Sequence, residues 1–72
     1  MTIRFPVRGD HIQLDQLLKA AGLCDSGGAA HAAVEAGEVL VDGALERRKR
    51  AKLHPGQQVE FGGQTVELVA EA

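Results

Sequence analysis

Five basic side chains fall within six consecutive positions: Arg47, Arg48, Lys49, Arg50 and Lys52. Guanidinium forks bind phosphate oxygens in pairs and ammonium groups bind them as point charges, so such a run offers capture of a polyanion. The surrounding chain is acidic. The 72 residues hold 8 Lys+Arg against 10 Asp+Glu, and outside the run three basic residues face ten acidic ones. A molecule of that polarity meets a nucleic-acid backbone with one face only. A solvated charged loop is the bland reading of the same residues. If the run is extended, alternation sends Arg48, Arg50 and Lys52 one way and Arg47 and Lys49 the other. Glu46 is placed to pair with a neighbouring arginine and fix its direction.

A second candidate is Ser26-Gly27-Gly28. Ser26 is a favoured residue type for opening a helix, where unpaired amides and the dipole attract an anion. Glycines there let a phosphate approach the backbone closely; a cap and a flexible entry turn is the plainer reading. His31, three to four residues on, projects from the same side of that helix. It can hydrogen-bond a phosphate or a base edge, more strongly when protonated.

Other chemistries find little support. No nucleophile elbow or Walker loop is present. Cys24, His11, His31 and His54 are scattered in no zinc-ligand pattern, so neither metal nor cofactor is expected. The single cysteine excludes an internal disulfide and suits a reducing compartment. No apolar stretch approaches the ~20 residues needed to span a bilayer, and the N-terminus lacks an apolar secretory core. A cytoplasmic protein without a membrane partner is the expectation.

These residues must be positioned by one small domain over residues 1–72, with an aliphatic core, since there are two Phe and no Trp or Tyr. Thr2 to Val7 reads as an extended, Pro-interrupted edge segment. Leu14, Leu17, Leu18 and Ala21 follow the spacing of one helical face. The helix starts either at an Asp10–Gln13 capping box or nearer Gln13, and Gly22 is placed to end it in a left-handed cap. Ala30, Ala33, Val34 and Gly37 repeat the helical spacing. The period then becomes strand-like: Val39 to Val41, a turn at Asp42-Gly43, and Ala44-Leu45. The basic loop follows, held between Leu45 and Leu53. Val59 and Phe61 alternate with polar neighbours, and Gly62-Gly63 turns the chain back through Thr65 to Val69. The fold class expected is α+β, two packed helices against a small antiparallel or mixed sheet.

In this order the elements resemble the RNA-binding module named after ribosomal small-subunit protein four, the S-four domain. The resemblance is carried by Leu14-Asp15, Leu18, Gly22, Ser26, Ala30, Gly37, Val39, Val41-Asp42-Gly43, Gly56 and Val59, across about residues 12–61. Within that family the chain looks most like the small standalone bacterial members, through Leu17-Leu18-Lys19, Ser26-Gly27-Gly28 and the stretch from Glu46 to Leu53. It departs from them at His31, where they usually carry Lys, and at Asp42, where the wider family often has Asn.

The resemblance implies the alpha-L fold and an RNA-binding face built from both helices and nearby loops. Residues implied are Lys19, Ser26, Gly27, Gly28, His31, Arg47, Arg48, Lys49, Arg50 and Lys52. With Phe5 and Phe61 the only aromatics that could stack bases, binding should rest on phosphates, 2′-hydroxyls and the shape of a structured RNA. Ribosomal RNA or a ribosome-assembly particle is the expected target by family analogy, bound by a non-catalytic monomer. A protein-interaction adaptor that docks an acidic partner through the same loop is the competing expectation.

Overall fold

The computed structural model describes residues 2–71. Its core is built by leucine and valine stripes, as the helical and strand periods require. Helix α1 (Leu14–Ala20) buries Leu14, Leu17 and Leu18 completely. Helix α2 (Gly27–Glu35) buries Ala30, Ala33 and Val34, and these small residues let it pack closely on α1. Both helices end in the same way. Gly22 and Gly37 adopt φ of 79° and 76°, a region only glycine enters without penalty. The Gly22 and Leu23 amides then donate to Lys19 and Leu18 carbonyls, and the Gly37 and Glu38 amides to those of Val34 and Ala33.

The strands are β1 (Thr2–Val7), β2 (Ile12–Gln13), β3 (Leu40–Val41), β4 (Ala44–Leu45), β5 (Lys52–Leu53), β6 (Gln58–Phe61) and β7 (Gln64–Ala70). Five form one sheet in the order β1-β7-β6-β3-β4, while β2 and β5 pair separately. The main sheet is mixed. β1 lies parallel to β7, with Phe5 opposite Leu68, and the other pairs are antiparallel. Pro6 is accommodated because β1 is an edge strand. Val39 is buried but precedes its expected strand, which begins at Leu40. Asp42 and Gly43 both have positive φ, 52° and 81°, as a two-residue turn between β3 and β4 requires.

Of the two helix starts that the sequence left open, the one at Gln13 is found: Gln13 is the cap residue of α1, although it makes no side-chain capping bond. The Leu14 and Asp15 amides instead donate to the carbonyls of Ala51 and Lys49, both at 2.9 Å. The basic loop itself therefore satisfies the start of the helix. Leu45, expected to anchor that loop, is 48% exposed. The loop is held by buried Leu53 and Ala51, and a turn closed by the Ala51 amide on the Arg48 carbonyl bends it just before Ala51.

Candidate nucleic-acid interface

Helix α2 carries Gly27, His31 and Glu35 at successive four-residue steps, so they lie along one stripe of its surface. Each meets a charged residue from α1 or the basic loop. Lys19 Nζ lies 3.9 Å from where a β-carbon on Gly27 would sit. His31 Nε2 lies 2.9 Å from Asp15 Oδ2. Lys49 Nζ donates to Glu35 Oε2 at 3.5 Å. Just past the helix end, an Arg47 guanidinium nitrogen lies 3.6 Å from where a β-carbon on Gly37 would sit. A cation there also complements the carbonyl end of the helix.

The remaining loop cations form a second set. Arg48, Arg50 and Lys52 line one open depression with Ala51 at its base. Arg47 and Lys49 turn to α2 instead, so the loop divides along the lines that alternation suggested. The division occurs across a turn at Lys49-Arg50 and not along an extended strand.

Carboxylates decide which of these charges remain uncompensated. Glu46 binds Arg48 with two side-chain bonds, at 3.1 and 3.2 Å, and also accepts the Arg48 amide. These bonds hold the Glu46 carboxyl below its ordinary range. Arg4 and Arg8 pair with Glu67 and Glu71. Among the described residues, Lys19, Arg47, Arg50 and Lys52 are the basic side chains in no ion pair. All four belong to the α1–α2–loop side of the molecule.

Ser26 opens α2 as expected, its hydroxyl oxygen accepting the Ala29 amide at 3.1 Å. Its proton remains a possible donor. The Gly27 and Gly28 amides, which precede the first intrahelical bond, complete that end of the helix. In the sequence Asp15 stood out only as part of the family pattern, and its partner was not legible. It is nearly buried, accepting the Gln16 amide at 2.9 Å as well as His31. Burial pushes its carboxyl up, but the hydrogen bonds from His31 and the Gln16 amide, with the charges of His31 and Arg50, outweigh that. The net position is below the ordinary aspartate value.

Asp42, the acid at the hairpin turn, is taken up structurally. It accepts the Gln58 amide and the Gln57 side chain at 2.9 and 3.1 Å. Phe5 and Phe61 are half-buried against the core and form no platform for bases. Among the described residues, no group of three or more His, Cys, Asp or Glu is arranged to hold a metal. No helix among the described residues is long and apolar enough to cross a membrane.

The S4 domain family profile matches residues 5–69. The chain belongs to the S4 domain family. It is 48% identical over 60 residues to YbcJ of Escherichia coli strain K12, a protein whose name describes it provisionally as RNA-binding. That match covers 83% of this chain and 86% of the relative. YbcJ of Shigella flexneri, of uncharacterised role, matches to the same extent. The solution structure of E. coli YbcJ superposes with a TM-score of 0.70 at 43% identity, covering 96% of this chain and 86% of that one. It is described as revealing an alfaL motif involved in RNA binding. The S4 domain of this chain thus has the alpha-L architecture: α1 and α2 packed together beside the mixed sheet, with the basic loop returning to the start of α1.

Proposed function

We propose that this protein is a non-catalytic RNA-binding module that recognises folded RNA through the face shared by α1, the start of α2 and the basic loop. The observation that carries this reading is the distribution of charge compensation. Among the described residues, each arginine away from that face is held by a carboxylate, whereas Lys19, Arg47, Arg50 and Lys52 on it are in no ion pair. Free cations release condensed counterions on meeting a phosphate backbone, and that release drives affinity. The name and description attached to E. coli YbcJ support the same reading.

Ser26, Gly27 and Gly28 add amide donors at the helix end beside Lys19, and His31 adds an imidazole next to them. Arg48 and Lys49 contribute less, each offset by its glutamate. With no exposed aromatic platform, recognition rests on phosphates, 2′-hydroxyls and shape. Ribosomal RNA or an assembly particle is the target class proposed, with the protein acting as a monomer in the cytoplasm.

The test is fluorescence anisotropy against a folded ribosomal RNA fragment across a salt series. It compares the native protein with a variant in which Arg47, Arg48, Lys49, Arg50 and Lys52 are all alanine. Salt-sensitive binding lost in the variant supports the reading. Equal binding by both proteins would remove the loop from the site. Should neither bind, a pull-down with and without ribonuclease separates a different RNA target from an acidic protein partner.

A further inference from the structure

We propose that Asp15 is a positioning residue that presents the Nδ1 edge of His31 to the RNA phosphates, so that this contact forms only when the imidazole is protonated. Asp15 Oδ2 and His31 Nε2 are 2.9 Å apart, between helices, in a pair whose side chains are 13% and 31% exposed. A carboxylate held below its ordinary pKa is an acceptor only, so Nε2 must be the protonated nitrogen of the neutral ring. Nδ1 has no hydrogen-bond partner among the described residues, and no unsatisfied polar atom is fully enclosed, so Nδ1 is open to solvent.

In the neutral ring Nδ1 is therefore a bare lone pair that repels phosphate oxygens. A second proton turns it into a donor and adds a charge beside Gly27 and Lys19. Asp15 fixes the direction of the ring in both states through the Nε2 contact. The loop holds Asp15 in turn, through the Lys49 carbonyl that accepts its amide.

The charged surroundings of His31 come from three elements. Asp15 and, one turn on, Lys19 belong to α1; Arg50 acts on Asp15 from the loop. On α2 itself the neighbour one turn away is Glu35, which is engaged by Lys49. Among the described residues, the only carboxylate bonded to the ring is thus that of Asp15.

Resting on the RNA-binding reading, the consequence is an affinity that rises as pH falls from about 8 to about 5, the range in which imidazoles titrate. The first measurement needs no RNA: the side-chain ¹⁵N shifts of His31 in the labelled protein. The neutral ring is expected in the Nε2–H form, and a dominant Nδ1–H form would overturn the proposal.

The second measurement is RNA anisotropy across that pH range for the native protein, H31K, H31Q and D15N. Native affinity should rise severalfold per pH unit relative to H31K, within the roughly ten-fold limit of one bound proton. H31K shares His11, His54 and the RNA, and so corrects for their titration. H31Q should follow H31K in shape but bind more weakly, and in D15N, where the ring is no longer oriented by a carboxylate, the rise should be smaller than in the native protein. A native profile parallel to H31K, or a D15N profile that coincides with native, refutes the role of Asp15. If no form binds at any pH, the RNA reading fails, while the nitrogen shifts still decide the geometry of the pair.

Discussion

The backbone amide of Asp15 donates to the carbonyl of Lys49 at 2.9 Å, joining the first turn of α1 to the middle of the basic loop. With the Leu14 amide on Ala51, it gives the helix start partners that its own cap residue does not supply. The same bonds hold a highly charged segment at a defined place beside both helices. Self-repulsion among five cations is thereby opposed by the core and the helix start together.

The two cation sets should differ in weight. Changing Arg50 and Lys52 to Ala should weaken RNA binding more than changing Arg48 and Lys49, because only the latter pair is compensated by Glu46 and Glu35. The native log affinity should fall with log salt at a slope of about −2 to −4, and R50A/K52A should lessen that slope by about one to two. A salt titration of both double variants checks the order.

Leu53 is fully buried at the end of the loop, where β5 pairs with β2. Leu53→Ala should cost about 2–5 kcal/mol through lost burial and the cavity left behind. In a domain this small that is much of the total stability, so urea melts should show a large fall in midpoint.

Gly37 takes a φ of 76°, and an added β-carbon would meet Arg47 and Leu45 at ordinary contact distance. The cost of Gly37→Ala is therefore backbone strain, about 1–2 kcal/mol, without a clash. Thermal denaturation should show that loss, while the salt slope of RNA binding stays near native.

Acid should loosen the α1–α2 contact. The Asp15 carboxyl is depressed in the folded protein, so its stabilisation is complete above the unfolded aspartate value of 3.8 and is lost as pH falls through the folded value. Urea midpoints should be lower overall in Asp15→Asn but fall less between about pH 5 and pH 2. An unchanged acid limb in that variant would show that other carboxylates govern it.

Much of this architecture was legible because it is written in short-range patterns. The spacing of Leu14, Leu17 and Leu18, and of Ala30, Ala33 and Val34, specifies two apolar stripes, and both are buried. Gly22 and Gly37 mark helix ends because a left-handed residue there suits glycine alone. Asp42-Gly43 marks its turn because aspartate and glycine are the residue types that tolerate the two positive φ values such a hairpin turn requires. Ser26 caps its helix through a bond only three residues long. The joint order of these signals was also enough to indicate the family.

What the sequence by itself determined was therefore the set of elements, their inward faces and the concentration of positive charge in one loop. The tertiary structure alone decided which charges remain free and which side chains meet. The parallel pairing of β1 with β7 joins opposite ends of the chain, and no local period encodes it. Asp15 and His31 stand 16 positions apart, and Lys49 and Glu35 stand 14 apart. Their pairing follows from how the helices and the loop pack. The Leu45 anchor failed, and the choice between an Asp10 box and a start at Gln13 stayed open, for the same reason: burial and capping depend on which surface arrives opposite a residue. Charge compensation is a property of distance in space, and the chain reveals that distance only once it is folded.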